Sequence, residues 1–345
     1  MSAMGFTYMT PIPSSEQIVR EYPTSEKVAL QKAVRDKAII DILTGQSDKF
    51  LLIIGPCSAD SEEPVLDYVH RLSRLQEEVS DRLVLVPRIY TNKPRTTGEG
   101  YKGISHQPDP EREPDMVAGL IALRKLHLHA IEQTGLSAAD EMLYPENHTY
   151  LADLLSYVAI GARSVENQQH RLTVSGIDMP AGMKNPTSGD LTVMLNGIYA
   201  AQHGHIFAYQ GFQVRTTGNT LAHAVLRGAV DPAGHSIPNY HYEDLQRLFT
   251  LYAQRELANP ACLVDTNHAN SNKQYHEQIR IAKEILHSRK LSPDIRSLVK
   301  GLMIESYLEE GGQLVGGGVY GKSITDPCLG WPESRELVLQ IADQA

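Results

Sequence analysis

Four side chains of metal-ligating type, Cys57, His268, Glu305 and Asp326, are spread along most of this 345-residue chain. They lack the paired-cysteine spacing of a structural zinc site, so they read as an open, catalytic kind of site. A thiolate, an imidazole and two carboxylates mix soft and hard donors, which suits Mn²⁺, Fe²⁺, Co²⁺ or Zn²⁺. Singly, each has an ordinary explanation: a small core cysteine, a hydrogen-bonded core histidine, or a carboxylate paired with a cation. A second set is cationic. The stretch from Pro87 to Gly103 carries Arg88, Lys93, Arg95 and Lys102 in a chain of formal net charge −9. Lys93-Pro94-Arg95-Thr96-Thr97 offers an ammonium, a guanidinium fork and two hydroxyls on a stiffened turn, groups that suit phosphate and carboxylate oxygens.

These residues need elements to bring them together. From Phe50 onward, apolar runs alternate with amphipathic helical stretches. The runs are 50–57, 83–90, 137–143, 158–163, 180–185, 205–210, 262–268 and 299–305. Helical patterns fall at 63–79, 115–134, 148–157, 189–203, 242–257, 271–289 and 332–343. Such alternation predicts a parallel sheet covered by helices, and eight units predict closure into a (β/α)₈ TIM barrel rather than an open doubly wound sheet. In that fold chemistry sits at the carboxyl ends of the strands. There the runs place Cys57, Arg88 (followed by Lys93), Glu141, Arg163, Lys184, His268 and Glu305. Asp326 joins from the last loop, and Arg227 from a small β-hairpin expected as an insertion after strand 6, within 211–241. Arg88, Lys93, Arg163, Lys184 and Arg227 converge on one mouth and need an anion to neutralise them.

Residues 1–45 read as a separate N-terminal helical arm and 46–345 as the catalytic barrel. Ser14 to Gln17 has capping-box spacing, and residues 28–43 carry an apolar stripe ending at Gly45. An arm without its own core must lie on the barrel or on another subunit, so a homo-oligomer, dimer or tetramer, is expected. The acidic total argues against a nucleic-acid partner. No apolar run reaches membrane-spanning length and no secretory leader pattern is present. Three cysteines, Cys57, Cys262 and Cys328, form no disulfide framework, which predicts a cytoplasmic protein. Two phosphate-loop signals fail on context. GxGxxG at 98–103 precedes a proline-rich loop, and GxxxxGKS at 316–323 precedes Ile324-Thr325-Asp326-Pro327, where neither opens a helix.

The ordered blocks IGPCS at 54–58, KPRTT at 93–97, GARSVENQ at 161–168, GMKNPTSG at 182–189, LRG at 226–228, DTNHANSNKQ at 265–274, ESYLEEG at 305–311 and GKSITDPCLGW at 321–331 resemble those of the class I 3-deoxy-D-arabino-heptulosonate 7-phosphate (DAHP) synthases. The resemblance implies a transferase of the shikimate pathway. It would condense phosphoenolpyruvate with erythrose 4-phosphate and water at a divalent metal, releasing phosphate. By motif, Cys57, His268, Glu305 and Asp326 fall on the metal ligands, and Arg88, Lys93, Arg163, Lys184 and Arg227 on phosphoenolpyruvate contacts. Arg95 and Thr96 fall on the erythrose 4-phosphate contacts, and Glu141 on an acidic position near phosphoenolpyruvate. Lys93, His268 and Glu141 are then the candidates for proton transfer. The resemblance also implies a feedback aromatic amino acid bound near the arm and strands 5 and 6. The segments after KPRTT and after strand 6 depart from the enterobacterial pattern and leave its identity open. Cys328, close to Asp326 in sequence, is expected to oxidise with Cys57 when the metal is absent. A related 3-deoxy-octulosonate 8-phosphate synthase is disfavoured by KPRTT, and a non-catalytic phosphate sensor by the intact ligand quartet.

Overall fold

The computed structural model describes residues 5–345. Eight parallel strands form one sheet: β1 (Phe50–Gly55), β2 (Leu83–Pro87), β3 (Ala138–Glu141), β4 (Leu155–Ile160), β5 (Ala181–Lys184), β6 (Ala222–Leu226), β7 (Cys262–Asp265) and β8 (Val299–Glu305). Each strand pairs with its sequence neighbours except β2 with β3, and β1 pairs with β8. A parallel bridge between Arg88 and Ala139 joins β2 to β3 and completes the barrel. Along β1, Leu51 and Ile53 join the cluster that fills the barrel interior with Val84, Val86, Tyr157 and Met303. Phe50, Leu52 and Ile54 alternate with them and pack outward against the helices. Burial on both faces is why these strands are apolar without interruption.

The arm forms two helices, α1 (Ser15–Glu21) and α2 (Glu26–Leu43). The Ser14 side chain accepts from the Gln17 amide and the Gln17 side chain accepts from the Ser14 amide, the reciprocal cap its spacing predicts. Ile39, Ile42 and Leu43 at the end of α2 enter the barrel's interior cluster. The opposite face leaves Leu30 and Val34 about 70% exposed, at 70% and 71%.

Two expectations are corrected. The run at 205–210 is not a barrel strand: Ile206–Tyr209 and Phe212–Arg215 pair only with each other, as an antiparallel hairpin outside the sheet. That hairpin precedes the sixth strand instead of following it. The alternation of Ile206, Phe207 and Tyr209 gives a half-exposed ribbon, whereas Ala222–Leu226 is buried throughout. A much shorter ribbon, Ala229–Val230 with Ser236–Ile237, does follow the sixth strand. The helix expected at 148–157 is a 3₁₀ turn, Pro145–Tyr150, and β4 begins at Leu155. Pro145 at its first position starts the turn, and the apolar run behind it is needed by the sheet. Of the two phosphate-loop patterns, 98–103 lies in a loop, while Lys322–Ser323 pairs with Glu309–Gly312 and opens no helix.

Candidate active site

At the carboxyl ends of the strands, one cavity of about 130 Å³ is lined by Cys57, Arg88, Lys93, Arg95, Glu141, Arg163, Lys184, Arg227, His268 and Asp326. Every residue given a metal, substrate or proton-transfer role from the sequence is there except Glu305 and Thr96. Glu305 lies just beneath, 1% exposed, with its Oε1 2.7 Å from Arg88 Nη2. Thr96 accepts a hydrogen bond from Arg163 Nε at 2.9 Å. Arg227, expected from an insertion, follows the sixth strand directly.

Cys57 Sγ and carboxylate oxygens of Glu305 and Asp326 lie within 4.8 Å of one another. His268 sits at the edge of this group, Nε2 3.9 Å from Glu305 Oε1. Its Nδ1 is 2.9 Å from Asp265 Oδ2, so the imidazole is oriented by a buried carboxylate and its Nε2 is directed at the group. Glu305 Oε1 is buried and lacks a hydrogen bond of good geometry despite its proximity to Arg88. The Lys93 ammonium is 2.7 Å from Cys57 Sγ and 2.8 Å from Asp326 Oδ2. Donors of three kinds converging on one point, already attractive to a cation, fit a divalent metal.

The electrostatics follow from the crowding. Burial pushes the Cys57 thiol up to about 11, with Glu305 adding to the shift and Lys93 opposing it. Proximity of a divalent ion is what would release that proton. Burial opposes charge on Lys93, but Cys57, Asp326 and Glu305 outweigh it and hold the ammonium above its ordinary value. Asp326 is held well below the carboxylate range, Lys93 overriding its own desolvation. Opposite Lys93, the Lys184 ammonium lies 3.2 Å from Asp265 Oδ2 and 3.9 Å from Glu141 Oε2. Burial lowers Arg227, and Arg163 beside it lowers it further against the pull of Asp265. These cations are the part of the cavity that an anion would relieve.

Several participants were not legible as such. Asp265, 0% exposed, is held ionised well below the usual range by His268 and Lys184 against its desolvation. Its three-residue spacing from His268 was the available signal. Asn267 Nδ2 donates to Glu305 Oε2 at 2.5 Å. Tyr90 places its ring 4.0 Å from the Arg88 guanidinium carbon. Gly161 leaves the room into which the Glu141 carboxylate fits, since a Cβ there would overlap it. His268 itself is in the left-handed region at φ +55, a costly conformation for a residue with a Cβ and one concentrated at functional sites.

Residues 21–339 match the model of the DAHP synthetase I family. The chain belongs to the DAHP synthetase I family. It is 38% identical to the Tyr-sensitive phospho-2-dehydro-3-deoxyheptonate aldolase of Escherichia coli K12, over 96% of this chain and 92% of that one. It is 37% identical to the Phe-sensitive enzyme of the same organism, over 94% and 92%. The structure of the phospho-2-dehydro-3-deoxyheptonate aldolase of Francisella tularensis superposes with a TM-score of 0.91 at 28% identity, covering 99% of this chain and 98% of that one.

A second cavity, about 580 Å³, lies outside the barrel. It is walled by Lys32 and Asp36 of α2, His148 of the 3₁₀ turn, Ile177 and Asp178 after the short helix Gln168–Val174, and Phe207, Tyr209 and Arg215 of the outer hairpin. No helix among the described residues is long and apolar enough to cross a membrane.

Proposed function

We propose that this family member joins phosphoenolpyruvate to erythrose 4-phosphate and water, giving DAHP and inorganic phosphate as the first step of aromatic biosynthesis, and that Arg88, Lys93, Arg163, Lys184 and Arg227 hold the phosphoenolpyruvate. The observation that carries the reading is the meeting of two unlike sets in one small mouth: five cations, of which Lys93 and Arg88 touch Asp326 and Glu305, and a thiol, two carboxylates and an imidazole. Phosphoenolpyruvate is a phosphate and a carboxylate on one small frame, and only a multiply cationic cradle fixes both while leaving its methylene carbon free. Arg95 and Thr96 extend the cationic lining outward and take the phosphate of the aldose.

Cys57, His268, Glu305 and Asp326 would hold the divalent metal. When bound it supplies Lewis-acid polarisation of an aldehyde oxygen. The chain's own residues do the rest. The cradle orients the methylene carbon of phosphoenolpyruvate toward the aldehyde carbon, where the new carbon–carbon bond forms. Lys93, kept protonated by its acidic neighbours, delivers a proton to the aldehyde oxygen as it gains charge. Water adds to the phosphate-bearing carbon, and the carbon–oxygen bond to phosphate breaks. Glu141, 3.9 Å from Lys184, is positioned to take the proton of that water, while Lys184 and Arg227 stabilise the departing anion. Incubation with both substrates should yield a seven-carbon 3-deoxy-2-keto acid phosphate and one inorganic phosphate per phosphoenolpyruvate. No consumption, or equal consumption with a five-carbon aldose phosphate, would refute the assignment.

The outer cavity is assigned to a feedback aromatic amino acid. Phe207, Tyr209 and Met179 offer a ring-sized apolar lining, and Lys32, Arg215, Asp36 and Asp178 supply both signs of charge for a zwitterion. The exposed Leu30 and Val34 of α2 are assigned to contact with a second copy of the chain, and the whole to the cytoplasm.

A further inference from the structure

Lys93, Arg95 and Thr96 lie outside any strand, so no sheet ladder fixes them. Their placement depends on Thr91 and Asn92, which lead into them. The base of this loop is pinched by two backbone bonds: the Lys93 amide donates to the Lys102 carbonyl at 2.9 Å, and the Ser105 amide to the Thr91 carbonyl at 3.1 Å. Gly103 closes the pinch at φ +101, where a Cβ would overlap the Thr91 carbonyl.

The other side of Thr91 is held by Asp140, next to Glu141 on β3 and 4% exposed. Its Oδ1 accepts from the Thr91 amide at 2.9 Å and from the Glu141 amide at 2.7 Å. Its Oδ2 accepts from the Thr91 hydroxyl at 2.5 Å. The Thr91 hydroxyl accepts in turn from Asn92 Nδ2 at 3.2 Å, and Asn92 Oδ1 receives the Ser105 hydroxyl at 2.5 Å. From the helix Met116–Thr134, His127 brings Nε2 to 3.6 Å from Asp140 Oδ2. A buried carboxylate is costly unless its oxygens are satisfied, and here both are spent on a turn that feeds the mouth. Asp140 does not line the mouth itself.

We infer that Asp140 is a positioning residue for the reaction: by clamping Thr91 it sets where Lys93, Arg95 and Thr96 stand. The inference rests on the reading of that loop given above. It predicts a split that general loss of stability would not produce. Of the five cations assigned to phosphoenolpyruvate only Lys93 stands on this loop, Arg88 sitting at the end of β2 before it and Arg163, Lys184 and Arg227 beyond other strands, so the phosphoenolpyruvate KM should rise by about twofold at most, while slight misplacement of the loop costs rate steeply. In Asp140→Ala the KM for erythrose 4-phosphate should rise about 10-fold and kcat fall about 10²-fold. Asp140→Asn keeps an acceptor for both amides and presents a donor to the Thr91 hydroxyl, so it should recover most of the loss. Thr91→Val removes the hydroxyl's two bonds, to Asp140 and from Asn92, but keeps the amide bond to Asp140, and should show the same split at about 3-fold, which keeps the test open if Asp140→Ala fails to fold. Arg95→Ala belongs in the same assay. If it raises the erythrose 4-phosphate KM and neither Asp140→Ala nor Thr91→Val does, or if both KM values move together, the role of Asp140 is refuted while the loop's stands. If Arg95→Ala leaves that KM unchanged, the loop reading falls and the inference with it.

Discussion

The two cavities of this molecule are built on opposite terms. The inner one, about 130 Å³, is walled by residues at the ends of the barrel strands and on the loops that leave them, and most of its groups are buried and paired with one another. The outer one, about 580 Å³, is walled by attachments: the arm, a 3₁₀ turn, the segment after a short helix and a two-stranded ribbon outside the sheet. Groups that must stand within a fraction of an ångström of reacting atoms belong on the rigid scaffold. A site that must respond to occupancy belongs on the segments that can move at low cost. The cavities come close at the segment after β3, where Glu141 faces inward and His148 outward within one short stretch of chain.

The sharpest break of this contrast is Lys184→Ala. Lys184 is 3% exposed and counters Asp265, so its removal should lower kcat/KM by roughly 10³-fold in a protein whose circular dichroism is unchanged. An active variant that saturates normally would overturn the cradle. Chelation comes next: activity should fall by at least about 10²-fold and return with Mn²⁺. In chelated, air-exposed protein a Cys57–Cys328 linkage should appear by mass spectrometry, since the two thiols are free and the Cys57 amide faces Cys328. The outer cavity should behave otherwise. Ile177→Trp, filling it, should abolish inhibition by phenylalanine, tyrosine or tryptophan while leaving uninhibited turnover within about twofold; parallel loss of both would merge the two sites.

The smallest effect separates them by pH. Burial lowers His148 to about 4, Asp140 opposing and Lys32 assisting. The unfolded chain takes up that proton near pH 6.5 and the folded chain does not, so stability is full above 6.5 and is lost as pH falls toward 4, by on the order of 3 kcal/mol. His148→Gln should flatten that part of the denaturation profile; an unchanged slope would place the loss elsewhere, as at His223, similarly lowered by burial.

Much of the inner cavity was readable because strand ends in a barrel are a fixed address: once the alternation is seen, Cys57, Arg88, Glu141, Lys184, His268 and Glu305 all fall at one face. The outer hairpin was misread because Ile206, Phe207 and Tyr209 have stronger β character than Ala222, His223 and Ala224, which form the real strand. Tertiary burial decided between them, and that is not a property of either segment alone. Asp265 and Asp140 were missed for a related reason. Their importance lies in whom they touch, His268 and Lys184 in one case and Thr91 in the other, and those partners are distant in sequence except for His268. The end of α2 plugging the barrel through Ile39, Ile42 and Leu43 likewise follows from packing that its periodicity leaves undirected.

The central claim is that one point, reached from residues 57 to 326, holds a metal beside phosphoenolpyruvate. Crystals soaked in Mn²⁺ and phosphoenolpyruvate, measured for anomalous scattering, test it directly. The account predicts one strong peak among Cys57, Glu305 and Asp326 with His268 turned onto it, and ligand density against Lys184 and Arg227. A peak elsewhere, or phosphoenolpyruvate bound away from the metal, would contradict it.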